Sequence, residues 1–435
     1  MSVAHVVCSE NGTTNGIPKR HQWLMIQQFL ENLHCFYFTV PYDRRGGTKI
    51  ESITRRVFLK RTVSGVGGIM LAKSLGPNIS LAQPSADMSR VVVVEHPDAT
   101  DGVKVINAAN VQAMMEESVK QLTGEATVAD AWASLLPDFR EEHLIAIKVN
   151  TTSRLLPTHP DVVDVIVAGL TAAGVRENNI IVYDIGTNWL LDSGYKPNKG
   201  DIGVRCFGTF EKITGGVVLN PNTAVDEEGW GDDWDNPVDI LGRKMALSTI
   251  LTRCDHLINV PVLKAHGWNV ANISLSLKNQ YGSVNNPQML HNNFATACAT
   301  LNSQEAIKGK TRLIAIDALF GCWSGHFDPP QFAPNSLIMT RDPVAADYIG
   351  AEMINEERAR LNLPPKSIQL LLRRAAEMGL GTNDPNKIEL LKVVLGAPEK
   401  QGAKEEVEEE KPDEERVVDP TGSYRTQWGN IKRSG

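Results

Sequence analysis

The sequence predicts an α/β protein: a mostly parallel sheet with helices on both faces, an irregular insertion in the middle, and disordered N- and C-terminal segments. Three observations lead there. Short β-branched or aliphatic runs alternate with stretches of helical period, the spacing of β–α–β units. Several helical stretches open near proline and stop at glycine, as helix ends prefer. The two ends differ in composition from everything between them.

Taken in order, "SRVVVVEHPD" reads as a first strand, since Val91–Val94 is an unbroken β-branched run. "NAANVQAMMEESVKQLTG" has helical spacing and stops at Gly124, and "VADAWASLL" is a further short helix. "HLIAIKVN" is the second strand. "HPDVVDVIVAGLTAAG" is a helix with Pro160 near its start and Gly174 at its end, and "NNIIVYDIG" is the third strand. From about Leu190 to Asp239 the chain is rich in Gly, Asn, Asp and Trp, which gives the insertion, with short antiparallel strands such as "GGVVLN". The α/β pattern then resumes: a helix around "KMALSTILTRC", the strand "DHLINVPVL", a loop and helix through "ISLSLKNQYG", and a helix around "FATACATLNSQ". "TRLIAIDAL" and "NSLIMTRD" are strands, "PVAADYIGAEMINEERARLN" is a helix entered through Pro343, and the helix "IQLLLRRAAEMG" closes the fold.

The chain has 435 residues, 42% of them hydrophobic, and a formal charge of −7. Eight acids and three bases between Lys404 and Arg416 carry −5 of that, so residues 398–435 form an acidic low-complexity tail. A nucleic-acid binder would show a basic stripe, and none is present. The six cysteines, at 8, 35, 206, 254, 298 and 322, form no CxxC clip, so no iron–sulfur cluster or zinc knuckle is expected. There are no internal repeats, and no phosphate-cradling GxGxxG or GxxxxGK[ST] loop.

"TRRVFLKR" followed by "TVSGVGGIMLA" resembles a twin-arginine export signal, with Arg55 and Arg56 as the pair and Phe58 and Leu59 in the following positions. Its apolar run, Thr62–Ala72, has 11 residues, too few to cross a ~30 Å hydrocarbon core at ~1.5 Å per residue. Small residues suit a cut after Ala82. The expected organisation is an N-terminal extension at 1–53, either from a start placed too far upstream or as a long n-region, a signal at 54–82, the α/β domain at 83–397, and the tail. The resemblance implies export to the periplasm or beyond by the twin-arginine translocation machinery. The mature protein is expected to have no stable membrane span.

Ligands of parallel sheets bind beyond the carboxyl ends of strands, where loops converge. Polar residues recur there: Asn150, Arg154 and His159 after the second strand, and Asp184 after the third. Lys264, His266, Asn269, Asn272, Lys278 and Asn279 lie in "INVPVLKAHGWNVANISLSLKNQYGSV", and Asp317 follows "LIAI". Several have ordinary structural readings. Asp342 before Pro343 suits a helix cap, Asp347 a solvated helix position, Asn150 and Asp184 turn bonds, and Asn285 and Asn286 a turn. Trp230 and Trp234 would pack inward from the insertion. Lys264 and Lys278 are harder to absorb. Two nearby ammonium groups repel unless an anion or a carboxylate sits between them, and either Asp184 or Asp317 or a bound anion could do so.

"IKVN…PTHPDVVDVIVAGLTAAGV", "LINVPVLKAH", "LSLKNQYGSV", "LIAIDAL" and "RDPVAADYIGAEMI" together resemble the domain of unknown function 362 family, from about Leu144 to Gly381. Some relatives in that family carry a ferredoxin-type module, which this chain lacks. A second likeness, of "TTSRLLPTHP" and "KAHGW…LKNQYG" to nickel-pincer lactate racemases, implies that Arg154, His266 and Lys278 share one cleft. Its spacing departs too far for a nickel cofactor to be carried over.

Two functions are therefore expected of these residues. One is an exported enzyme acting on a small carboxylate-bearing anion. Asn150, Arg154, Lys264 and Asn279 would bind the substrate, with Arg154 and Lys278 holding the anion and His266 as the proton-transfer group or a metal ligand. Asp184 and Asp317 would orient His266, or would complete a divalent metal site with it. The other is a non-catalytic protein that captures a small ligand or metal with the same shell.

Overall fold

A computed structural model describes residues 88–213, 224–267 and 271–396. The N-terminal extension, the signal with Arg55, Arg56, Phe58 and Leu59, the strand expected at "GGVVLN" and the acidic tail lie outside the described residues.

The valine run forms β1 (Ser89–Glu95). Helix α1 (Ala108–Thr123) is capped by Asn107, whose side chain accepts the Asn110 N–H, and it closes at left-handed Gly124. Helix α2 (Val128–Ser134) buries Trp132. After β2 (Ile145–Lys148) comes α3 (Pro160–Ala172), whose Gly169 lies against that indole. A Cβ at Gly169 would fall 2.1 Å from Trp132 Nε1, so glycine sets how closely these two helices approach. Next come β3 (Ile180–Tyr183), α4 (Thr187–Asp192) and the short β4 (Arg205–Cys206).

The middle of the chain is more regular than its composition suggests. Strands β5 (Asp232–Asp239) and β6 (Lys244–Ser248) form a separate antiparallel pair. They are joined by Leu241 and Gly242, both at positive φ, while Ile240 and Arg243 exchange backbone hydrogen bonds. That primed turn matches the twist of the two strands and sends the chain straight back. The helix expected over "KMALSTILTRC" is therefore corrected: its first half is β6, and only Thr249–Arg253 is helical, α5. Trp230 packs inward, but Trp234 is 40% exposed, contrary to expectation.

The single strand expected at "DHLINVPVL" is two, β7 (His256–Asn259) and β8 (Val262–Ala265). Pro261 divides them because it has no N–H for a ladder. Short β9 (Ile273–Ser274) pairs back onto β8, and a turn of helix, α6 (Ser276–Asn279), follows. Then come α7 (Phe294–Asn302), α8 (Glu305–Lys308), β10 (Thr311–Cys322), β11 (Ser336–Thr340), α9 (Pro343–Arg360), α10 (Gln369–Glu377) and β12 (Ile388–Val394). Sequence reading ended the fold at α10 and missed β12. As an edge strand it buries only Ile388 fully and half-buries alternate residues after it, a weak pattern.

The sheet order is β12-β1-β11-β10-β7-β2-β3-β4, with β8 and β9 attached beside β10. Six of its pairings are parallel; β1–β11, β10–β11 and β8–β9 are antiparallel. Helices cover both faces, as predicted. One core joins Ile314 and Ile316 of β10 to α7, α9 and α10, and the other joins Leu313 and Ala315 to α1 and α3. Burying each such aliphatic side chain stabilises by about 1.5–3 kcal/mol. Among the described residues no helix is long and apolar enough to cross a membrane.

Candidate functional site

The carboxyl ends of β2, β3 and β8 meet at one small cavity of about 40 Å³. Strands β2 and β3 are parallel neighbours, with Lys148 paired to Tyr183, so Lys148 and the following Asp184 come together. Lys148 Nζ lies 2.6 Å from Asp184 Oδ1, 2.6 Å from the Val149 carbonyl and 3.5 Å from Asn279 Oδ1. Three acceptors match the three N–H bonds of an ammonium. Burial pulls the Lys148 pKa down, opposed by the charge and hydrogen bond of Asp184. Asp184 is held further: Oδ1 accepts Ile185 N–H, and Oδ2 accepts the N–H and hydroxyl of Thr151 at 2.7 and 2.8 Å. Gly282 closes over this pair, and a Cβ there would lie 2.2 Å from Asp184 Oδ1 and 2.6 Å from Lys148 Nζ.

Beside the pair runs a series of amides. Lys264 Nζ donates to Asn150 Oδ1 at 2.6 Å and to the Leu156 carbonyl at 3.3 Å. Asn150 Nδ2 donates to Asn279 Oδ1, and Asn279 Nδ2 donates to Asn259 Oδ1 and the Lys148 carbonyl. Asn259 in turn binds the Ser276 carbonyl. Buried amides paired this completely fix the cavity wall. Lys264 is 1% exposed. Burial pushes it down to about 7, opposed by Asp184 and assisted by the charges of Lys278 and Lys148.

Lys278, on α6, is part-exposed and, with Thr152, marks the cavity mouth. Its Nζ sits 4.9 Å from the Tyr281 ring centroid, a cation–π contact. Burial pushes it down to about 8. Neither Lys264 nor Lys278 has a carboxylate partner among the described residues. Asp347 fixes α6 from outside the cavity. Far from solvated, it is 1% exposed and accepts Ser276 N–H and Oγ–H at 2.7 and 2.5 Å, and Leu277 N–H at 3.3 Å. Burial raises it to about 7. Asp342 does cap α9, accepting the Val344 and Ala345 N–H groups.

Histidines complete the cavity wall. His326 lines it and stacks on His266, with ring centroids 3.9 Å apart and planes 9° apart. His291 lies 6.0 Å from His266. Burial, then the charges of Lys278, Lys264 and His291, push His326 down to about 3, so it is neutral at physiological pH.

Of the residues expected from sequence, Asn150, Asp184, Lys264, Lys278 and Asn279 line one cavity, and His266 stands behind His326. Two do not join them. Arg154 is exposed and does not line the cavity, so the expected cleft shared by Arg154, His266 and Lys278 is corrected; Lys148 takes the inner position. Asp317 was read as a strand end, but β10 continues to Cys322. Its carboxylate accepts the His159 N–H at 2.8 Å and lies 2.7 Å from His159 Nδ1. Burial disfavours the His159 cation, yet Asp317 outweighs that and raises its pKa. The proposed metal set therefore has three separate settings: Asp184 on Lys148, His266 on His326, and Asp317 on His159. Among the described residues no group of three or more His, Cys, Asp or Glu is placed to hold a metal ion.

Lys148, Gly282, Tyr281 and His326 were missed. Only Lys148 left a signal, a lone charge in an otherwise apolar strand.

Fold and site together define an α/β protein with a lysine-lined cavity at the carboxyl ends of its parallel strands. Residues 145–352 match the family model described as Domain of unknown function (DUF362). Every cavity residue named above falls within that segment. No curated protein matches the chain.

Proposed function

We propose that the cavity binds a small anion and that the protein is an enzyme acting on a small carboxylate-bearing substrate. One observation carries the reading: two lysine side chains without carboxylate partners face the same small cavity. In a low-dielectric setting such charges repel, and a bound carboxylate relieves both at once. Lys264 and Lys278 hold the anion, while Asn150 and Asn279 fix the inner wall. His326, a neutral imidazole stacked on His266, lines the cavity beside them. With pKa values of about 7 and 8, Lys264 and Lys278 exchange protons near neutrality, which is what acid–base chemistry on the substrate requires. The separate settings of Asp184, His266 and Asp317 give no step to a metal. Volume limits the ligand: at ~10–15 Å³ of such space per water, the cavity holds about three waters.

The test is calorimetric titration with oxalate at low salt and pH 6.5. Lys264→Met and Lys278→Met should each weaken binding at least tenfold, about 1.4 kcal/mol. Unchanged affinity in both variants rejects the reading. A capture protein would use the same cavity, and multiple turnover under substrate screening separates the two. Export by the twin-arginine route is part of the proposal, supported by Arg55 and Arg56 and the residues after them. Retention of the chain in the cytoplasm when both become lysine is the expected result. Continued export of that variant counts against it.

A further inference from the structure

Three buried or half-buried lysines surround the cavity, and their hydrogen bonds differ in number. Lys148 has three acceptors, one of them a carboxylate, and is arranged as an ammonium. Lys264 has two, the Asn150 side-chain oxygen and the Leu156 carbonyl, and no acid. A neutral amine has two N–H bonds and one lone pair. Two acceptors use both N–H bonds and leave the lone pair unengaged, on a side chain that lines the cavity.

We infer that Lys264 is a nucleophilic amine that forms an imine with the carbonyl carbon of a small 2-oxo acid, whose carboxylate is held by Lys278. This rests on the anion-binding reading of the cavity and narrows its substrate class. The Nζ lone pair forms the C–N bond, and the carbonyl oxygen is protonated from the Lys278 ammonium. Loss of that oxygen as water, with the second nitrogen-bound proton returned to Lys278, leaves a C=N bond. No oxidant or reductant is consumed. The depressed basicity of Lys264 is consistent with this role, because desolvation leaves a substantial share of its side chain as free amine at neutral pH.

The experiment is reductive trapping. The full chain is incubated with pyruvate and sodium cyanoborohydride at pH 7.5, and the adduct is located by peptide mass mapping. One reduced adduct at Lys264 is expected, blocked by excess oxalate and absent from Lys264→Met. Circular dichroism and melting of that variant report its folding, and wild-type trapping with acetone, which lacks a carboxylate, should fall at least tenfold. No adduct at Lys264, or labelling spread over surface lysines, overturns the inference. If oxalate still binds in the calorimeter, the anion-binding reading survives; if oxalate fails to bind as well, both fall together.

Discussion

Lys148 and Lys264 stand on the same cavity wall and are both nearly fully buried, yet the fold treats them oppositely. Lys148 ends a central strand beside an acid that ends the next one, so parallel pairing itself supplies its counter-charge. Lys264 lies on β8, beyond Pro261, where its close partners are an amide and a carbonyl. A buried charge with a partner is part of the scaffold. One without a carboxylate is costly to leave empty, which makes it the side of the cavity built to receive something.

The comparison can be broken most forcefully at the ion pair. Asp184→Ala strands the Lys148 ammonium and three other donors, and should cost about 3–5 kcal/mol in chemical denaturation, as for other broken buried pairs. Gly282→Ala forces a methyl into the same pair and should cost about 1–3 kcal/mol as overpacking. On the other side, Lys264→Met should leave stability unchanged or raise it while abolishing oxalate binding, because it removes a charge that has no carboxylate partner. A loss as large as that of Asp184→Ala would erase the distinction. Arg154→Ala should change stability by no more than about 0.5 kcal/mol and leave binding intact, as a surface change does.

pH sharpens the same contrast. Lys264 falls from 10.5 in the unfolded chain to about 7 in the fold. The unfolded chain therefore binds more protons between those values, and stability from this group rises with pH across that window. Asp347 is raised from 3.8 to about 7, so the folded chain binds more protons there, and its contribution declines as pH rises from 3.8 to 7. Each is read by difference from wild type in urea titrations: Lys264→Met should remove part of the rise between pH 7 and 10.5, and Asp347→Asn should remove a decline between pH 3.8 and 7. Oxalate affinity should decline above pH 7 as Lys264 loses its proton, while imine trapping should increase.

Much of the site was legible because ligands of parallel sheets gather at strand ends, and Asn150, Asp184, Lys264, Lys278 and Asn279 could be named on that ground alone. The failures have physical causes. Lys148 is the last residue of a strand buried on both faces, where a charge breaks no alternation and is easily passed over. Asp317 was misplaced because β10 runs five residues beyond it, paired with a strand that Pro261 had hidden. Arg154 is in the right loop but points to solvent, and sequence cannot give a loop side chain its direction. His326 comes from a segment without periodicity, and only tertiary structure brings it to the cavity. The strands and long helices were largely readable, whereas β6 and β12 depended on a hairpin turn and an edge.

The interruption at Pro261 lays two short ribbons end to end along one long one. The first, β7, is ordinary interior, and the second, β8, is also a wall of the cavity. Whatever grips Lys264 must brace the second ribbon and, through it, the far half of β10. The backbone amides of residues 317–322 should thus be a gauge of occupancy: their exchange with deuterated solvent should slow when the cavity fills, while that of residues 311–314, alongside the first ribbon, should keep its rate.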